Sequence, residues 1–411
     1  MKIVIVGAGI AGLATTISLT KCMKDTPTIT ILEIRPEPST LGGAIGLTPN
    51  ALRALESLGV LDLIRKQAKG ASIDRIELFD LLNAASLGYI DFAGSGGKGV
   101  GEPPFKGLRI LRSDLGQALL SVVRPLSNVT LQYGAKVTTI TESDDKVTLA
   151  FSDGETMDAD LLIGCDGIHS KVRQLLVEPD RNPEYTGIAA VSGFTEFANS
   201  ELHWKDTGLV QGQRGSLVCS LYTPSSDQHY LGAVMETADV KSREGWLAKG
   251  AEQDRIKQGV LERYDSPAMP YLRNLIEASH DWNLYPVYKL GPKGRWSTGR
   301  SILLGDAAHA MPPQGESAGI ALEDAVVFGR VMSAGNSESL LDSFAAYERI
   351  RRPRADEACQ QATFGWETNK DCSWVKHKMR GWLTSVFLWW TQESRIKRYS
   401  EDLSTMDLGL E

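Results

Sequence analysis

The chain begins Met1-Lys2-Ile3-Val4-Ile5-Val6-Gly7-Ala8-Gly9-Ile10-Ala11-Gly12-Leu13. The apolar run Ile3 to Val6 has the length of a short buried strand. It breaks into Gly7-x-Gly9-x-x-Gly12, and a helix-compatible run from Leu13 to Leu19 follows. In a strand–turn–helix unit of this kind Gly7 permits the tight turn, Gly9 lets a pyrophosphate approach the backbone, and Gly12 lets helix and strand pack closely. The free N–H groups and the positive end of the helix dipole then face the phosphates. An ordinary buried strand with a glycine turn would read the same over these residues alone. A second run, Thr28 to Leu32, separates the two readings, because it ends in Glu33, 21 residues beyond Gly12. A carboxylate there can accept hydrogen bonds from a ribose diol.

Two further stretches extend this pattern. Cys165-Asp166-Gly167-Ile168-His169-Ser170-Lys171-Val172-Arg173 follows the apolar run Leu161 to Ile163, and Gly305-Asp306-Ala307-Ala308-His309-Ala310-Met311-Pro312-Pro313 follows Ser301 to Leu304. Each puts an Asp and glycines at the carboxyl end of a strand, where open α/β sheets bind ligands. An Asp at such a place can hold a ribityl or ribose hydroxyl, and glycines let backbone N–H groups reach phosphate oxygens.

With the N-terminal fingerprint, these motifs make roughly residues 1–350 resemble the group A, single-component flavin-dependent monooxygenases, the aromatic hydroxylases related to p-hydroxybenzoate hydroxylase and salicylate hydroxylase. The resemblance implies an α/β fold: a Rossmann-type FAD-binding domain with an inserted, mainly β substrate domain and a C-terminal helical segment. It implies that Gly7, Gly9, Gly12 and Glu33 hold the ADP part of FAD, with Arg35 next to the adenosine. Arg112, in Leu111-Arg112-Ser113-Asp114, matches the arginine that contacts FAD, and Gly305 and Asp306 match the residues that hold ribityl and pyrophosphate. Asp166 lies in the motif tied to both FAD and NAD(P)H. The segment Leu41-Gly42-Gly43-Ala44-Ile45-Gly46-Leu47 resembles the one beside the flavin ring, so Gly43 and Ala44 join the expected FAD contacts, as do Pro313, Gly315, Ala318 and Gly319. The chain departs from the family after Pro312-Pro313. Gln314-Gly315-Glu316-Ser317-Ala318-Gly319-Ile320 is a residue shorter than the usual glycine-rich turn and lacks its Asn. Glu316 is read here as a helix N-terminal carboxylate facing solvent, favoured by the dipole.

The bulk numbers fit a globular enzyme. The 411 residues allow a substantial core and two domains. The net charge of -7 gives no reason to expect nucleic acid or an anionic membrane surface as partner. The five cysteines, Cys22, Cys165, Cys219, Cys359 and Cys372, are scattered, make no CxxC pair and do not read as a disulfide framework or metal site. A reducing, cytoplasmic setting follows. The six histidines show no metal-like spacing, so His169 and His309 are read as structural loop residues and no metal is expected. No run of about eighteen apolar residues suggests a spanning helix. Trp382 to Trp390 is too short for one; of its two readings, lying on a membrane surface or packing against the body, packing is preferred.

Along the chain, the discontinuous FAD domain is expected over 1–72, 107–180 and 284–335, the substrate domain over 73–106 and 181–283, and C-terminal helices over 336–411. Ala93 to Lys106, rich in Gly and Pro, is a loop. Strands are expected at Val129 to Tyr133, Val137 to Glu142 and Val147 to Phe151, and a run of strands from Tyr185 to Met235. Val240 to Tyr264 is expected to be helical, as is Ser317 to Met332. The Trp residues from Trp366 to Trp390 are read as core.

Only one GxGxxG joins an apolar strand run to a helix-compatible run (Gly94-Ser95-Gly96-Gly97-Lys98-Gly99 repeats the spacing inside the loop Ala93 to Lys106), so hydride is expected from transiently bound NADPH or NADH, as the resemblance also implies. With O2 the flavin then gives a C4a-hydroperoxide that hydroxylates an aromatic or polyketide-like small molecule of secondary metabolism. The flavin carries the hard chemistry, and the protein supplies orientation and a dry pocket. No substrate base is identified. Tyr222, His229, His203 and Arg214 lie on the expected substrate sheet, and Tyr222 is taken as the candidate catalytic residue. Two other readings stand beside this one: an epoxidase, decarboxylating or ring-modifying monooxygenase for a larger hydrophobic metabolite, and a flavin-bound redox sensor without enzyme activity. A homodimer is left open.

Overall fold

The computed structural model describes residues 1–38, 42–334 and 339–409. Leu41, the first residue of the segment expected beside the flavin ring, lies outside them. At the centre is a five-stranded parallel sheet in the order Ser301–Leu303, Leu161–Gly164, Lys2–Val6, Thr28–Glu33, Val129–Tyr133. Ile3, Val4, Ile5, Leu161, Leu162 and Ile163 are all fully buried. That is why these strands read as unbroken apolar runs rather than alternating ones: both faces are covered. The helices Ile10–Cys22 and Ser317–Ala334 run backbone to backbone, since a Cβ at Gly329 would sit 2.2 Å from Ser18 Oγ.

The second layer is a seven-stranded sheet in the order His280–Lys289, Glu184–Glu196, Gln228–Glu236, Gly215–Leu221, Thr207–Gly212, Arg75–Asp80, Ser86–Asp91. It is antiparallel except where Thr207–Gly212 pairs with Arg75–Asp80. Side chains alternate across a sheet. Val191, Leu217, Cys219 and Leu231 join one core with Ile256, Val260, Leu272 and Leu275 from the covering helices. Ser192, Ser220 and Tyr230, one residue along on the same strands, therefore point to the other face. His280–Lys289 belongs wholly to this sheet and runs across the domain boundary expected between residues 283 and 284.

A small sheet, Ala44–Leu47, Gly107–Leu111 and Ala71–Ile73, lies between the two large ones in the chain's path. Val137–Glu142, Val147–Phe151 and Thr156–Ala159 form an antiparallel flap.

The helical stretch over Val240 to Tyr264 consists of two helices, Arg243–Ala251 and Gln253–Tyr264, because Glu252, with ψ 66°, interrupts it. One expectation is corrected. The Trp-rich tail is not core. Trp366 is 7% exposed, but Trp374, Trp382, Trp389 and Trp390 are 59%, 67%, 77% and 76% exposed. The helix Trp374–Trp390 turns His377, Gly381 and Leu388 inward and its large apolar residues outward. Helical spacing showed that an apolar stripe exists, not that the protein covers it.

Candidate active site

The glycine turn has the conformation its residues demand. Gly7 has φ +106°, and a Cβ there would lie 2.4 Å from the Cys165 carbonyl oxygen. A Cβ at Gly12 would lie 1.9 Å from Gly7 O. Gly9 is different: no heavy atom lies within 4 Å of an added Cβ. The helix Ile10–Cys22 that starts there has no side-chain cap and no acidic residue in its first turn. Unpaired N–H groups, the positive end of a dipole and open space above a glycine fit a diphosphate. Glu33 closes this end of the cradle. Its Oε2 accepts from the Ala8 N–H at 3.0 Å and its Oε1 from the Arg35 N–H at 3.0 Å. Two partners leave lone pairs for a ribose diol. The Arg35 side chain is largely exposed beside it.

Asp166 sits against the same turn, its Cα 2.9 Å from the Cβ position of Gly7. One oxygen, Oδ2, accepts from the N–H groups of Lys171 at 2.6 Å and Val172 at 3.3 Å, while Oδ1 is buried with no partner. Burial pushes this carboxyl above its ordinary range, against the hydrogen bonds of Ser170 and the backbone.

Gly305, φ +59°, turns the chain from the strand Ser301–Leu303 into Asp306. Burial also raises the Asp306 carboxyl, with His309 and Arg112 pulling the other way. Arg112 opens the helix Arg112–Val123 and donates its N–H to Gly43 O at 3.1 Å. Its Cδ lies 3.0 Å from the Cβ position of Gly42. Gly42, Gly43, Ala44, Arg112 and Asp306 therefore converge. Gly315, φ +88°, has open space around it, and Gly319 abuts Ala51, where a Cβ would come within 2.9 Å. Ala318 is half-buried between them, and the Pro313 carbonyl accepts from Trp366 Nε1 at 2.7 Å. Glu316 does not face solvent as expected. It pairs with Arg354 at 2.8 Å, and both side chains are mostly buried. Arg354 comes from a helix 38 residues on, which no local reading of the turn could include.

Several residues at the site were not named from the sequence. Tyr230 stands beside Gly43, its Cε2 2.6 Å from the glycine's Cβ position, with Ser192 Oγ at 3.2 Å and without a hydrogen-bond partner. Arg109, on the strand Gly107–Leu111, packs its guanidinium against Gly46 and lies 5.9 Å from the centre of the Tyr230 ring. Its Nε donates to Ser220 Oγ at 3.3 Å. Burial lowers its pKa, and the Tyr230 phenol beside it acts the other way. Among the described residues it makes no ion pair. The signal was present in Gly107-Leu108-Arg109-Ile110-Leu111, a lone charge within a short apolar strand. Tyr222 lies further out. Its ring packs on Phe194 at 5.1 Å, and Phe194 packs on Tyr230 at 5.9 Å. His229 is buried between Cys219 and the Phe197 carbonyl, and Arg214 pairs with Asp371.

Behind the Gly305 turn lies a buried ionic network. Asp324 accepts from His309 Nε2 at 2.7 Å, from Gly305 N at 3.1 Å and from Arg351 Nε at 2.7 Å. Arg351 also donates to Glu323 at 2.9 Å, which accepts in turn from Asn50. Burial would raise the Asp324 carboxyl, but His309 and Arg351 hold it down to about 2. Among the described residues no group of three His, Cys, Asp or Glu is placed to hold a metal.

A family model described as an FAD binding domain matches residues 1–362. The chain is 28% identical to 6-hydroxynicotinate 3-monooxygenase of Pseudomonas fluorescens over 393 residues, covering 91% of this chain and 94% of that protein. It is 28% identical to a salicylate hydroxylase of Pseudomonas putida, covering 90% and 86%. The crystal structure of Klebsiella pneumoniae HpxO with FAD and uric acid superimposes with a TM-score of 0.77 at 21% identity, over 98% of this chain and 96% of that one. At that identity the superposition shows the shared fold.

Proposed function

As a member of the FAD binding domain family the chain is an FAD-dependent monooxygenase, and we propose that it uses NAD(P)H and O2 to hydroxylate an aromatic or polyketide-like small molecule bearing an acidic group. Arg109 carries the substrate part of this reading. A guanidinium that is half-buried with no carboxylate partner among the described residues is costly, because burial penalises charge that nothing nearby offsets. A carboxylate or acidic phenol on the substrate would supply that partner bidentately. Three curated relatives are named for acidic aromatic substrates: a hydroxynicotinate, a hydroxybenzoate and salicylate. The site offers nothing that favours epoxidation, ring modification or redox sensing.

The residues present fit FAD. The amides at Gly9 and Ile10 would hold the diphosphate, Glu33 the ribose and Asp306 the ribityl hydroxyls, with Arg112 at the Gly42–Ala44 segment. Bound there, FAD would supply the redox chemistry that links NAD(P)H and O2 to insertion of one oxygen atom into the substrate. The chain's own part is placement. Arg109 orients the acidic group, and Tyr230, kept protonated by burial, is a hydrogen-bond donor at neutral pH. The dipole of the helix Ser317–Ala334 favours negative charge near Gly315. Phe194, Tyr222 and Tyr230 form an aromatic wall that keeps water out. The parallel sheet carries the cofactor in this assignment and the seven-stranded sheet the substrate. All five cysteines are free thiols, which together with the need for NAD(P)H supports a cytoplasmic setting.

The test is NAD(P)H oxidation by the FAD-loaded protein with a panel of hydroxylated aromatic acids and their methyl esters, with products identified by mass. Stimulation by the acids with a gain of one oxygen supports the reading. Equal stimulation by the esters removes the acidic-group part, and no stimulation by any of them removes the aromatic-acid substrate.

A further inference from the structure

The helix Trp374–Trp390 is bound to the body through one face only. His377 Nε2 lies 2.9 Å from Asp80 Oδ1, Lys378 Nζ reaches Asp80 Oδ2 at 3.2 Å, and Arg380 donates to the carbonyls of Thr368 and Gly212. Leu388 packs at Gly88 and Gly381 faces Leu87, both on the strand Ser86–Asp91 at the edge of the seven-stranded sheet. These polar and small-residue contacts fix the helix's rotation, and with it what faces outward.

What faces outward along the helix, apart from Lys376, is apolar. Val375, Met379, Trp382, Leu383, Val386, Phe387 and Trp390 are all exposed. They recur at i, i+4, i+7, i+8, i+11, i+12 and i+15, one stripe of a helix. Trp374 and Trp389 widen it. Isolated exposed hydrophobics need no explanation, but a contiguous patch of this kind marks an interaction surface. No helix among the described residues is long and apolar enough to cross a membrane.

The charge around the stripe decides what sits on it. From Trp374 to Arg398 there are six Lys and Arg residues and one acidic residue, Glu393, in a chain whose net charge is -7; Lys378 and Arg398 are paired with Asp80 and Glu357, and Arg380 is held by backbone carbonyls. Lys376 and Lys397 are exposed and make no ion pair among the described residues. A helix with Trp, Phe and Leu on one face and basic residues at its border has the chemistry of the bilayer interface, where aromatic rings lie at headgroup depth and cations meet anionic lipid. A protein partner buried by hydrophobic contact would not require this local reversal of charge.

We propose that the helix Trp374–Trp390 seats the enzyme on an anionic lipid surface, with the stripe from Val375 to Trp390 in the headgroup region and Lys376 and Lys397 against the phosphates. Because the helix is fixed to the sheet that carries Ser192 and Tyr230, docking would hold the substrate side of the molecule at a set orientation to the membrane. This goes beyond the proposed reaction and does not depend on it.

The experiment is co-sedimentation of the FAD-loaded full chain with vesicles of phosphatidylcholine alone and of phosphatidylcholine with phosphatidylserine, followed by tryptophan emission. Binding to the anionic vesicles with a blue shift, weakened by salt and reduced roughly tenfold or more in the double variant W382A/W390A, is the expected result. Both positions are exposed, so the variant should keep its flavin spectrum and its unfolding midpoint. Equal binding to both vesicles, or binding to neither, overturns the proposal. So does a concentration-dependent dimer that W382A/W390A converts to monomer without any vesicle binding, which would assign the stripe to a second copy of the chain.

Discussion

His309 Nε2 lies 2.7 Å from Asp324 Oδ2, and both side chains are buried beneath the Gly305 turn. Asp324 also binds the Gly305 N–H and Arg351, so one carboxylate ties the strand-to-helix turn that presents Asp306 to two later helices. Replacing it with Asn would leave Arg351 with Glu323 as its one carboxylate partner among the described residues, at a cost of about 1.5–3 kcal/mol. Chemical unfolding of D324N should show that loss at neutral pH. The loss should shrink with acid. The folded carboxyl titrates near 2 against 3.8 when free, so its stabilisation, on the order of 2 kcal/mol, is fully present above about pH 4 and disappears as pH falls through 2. A gap between wild type and D324N that stays constant from pH 5 to pH 2.5 would show that the fold does not hold the Asp324 carboxyl below its free value.

Gly9 and Gly12 look alike in the sequence but differ in the structure. A Cβ at Gly12 meets the Gly7 carbonyl oxygen at 1.9 Å, whereas one at Gly9 meets nothing. G12A should therefore be destabilised by about 1–3 kcal/mol through overpacking. G9A should unfold at the wild-type midpoint and yet bind FAD roughly tenfold or more weakly, because its methyl occupies the space left for the diphosphate. Fluorescence titration of the apoprotein with FAD separates the two effects. Unaltered FAD affinity in G9A would mean that the diphosphate lies elsewhere.

These contrasts show what the sequence could and could not carry. The parallel strands were legible because burial on both faces leaves unbroken apolar runs, and Val129–Tyr133, Val137–Glu142 and Val147–Phe151 lie where their patterns put them. The glycine turns were legible because a positive φ or a close approach restricts the residue type. The Asp324, Arg351 and Glu323 network was not, since its members meet only after two helices pack. The Glu316–Arg354 pair escaped notice for the same reason. The outward rotation of Trp382 and Trp390 depended on Asp80, far away in the chain, capturing His377. Periodicity reports a face; long-range polar contacts decide which way it points.

Arg109 tests the substrate class. R109M keeps the aliphatic stem and removes the charge, and the site lies apart from Gly9 and Glu33. FAD content should stay as in the wild type. For an aromatic acid KM should rise roughly tenfold to a hundredfold, the loss expected when a charged hydrogen-bonding partner is removed. For the corresponding ester the two proteins should differ little. Steady-state kinetics on both substrates checks this. A KM for the acid that does not change in R109M would place the acidic group away from the Gly46 and Tyr230 side of the site.

Tyr230 and Tyr222 divide the remaining chemistry. Both phenols are raised by burial, so neither is a phenolate at neutral pH and neither serves as a base in its resting state. Each is available as a donor, and position then separates them. Tyr230 touches the Gly43 segment, while Tyr222 reaches it only through Phe194. Y230F should lower kcat/KM roughly tenfold by removing a hydrogen bond to a charged or polarised ligand, with FAD still bound. Y222F keeps the ring on Phe194 and should change kcat/KM by no more than about threefold. A larger loss in Y222F than in Y230F would make Tyr222 the residue that touches substrate. The aromatic wall would then have to fold inward when the ligand binds, and the ring of Phe194 would have to leave its place between the two tyrosines.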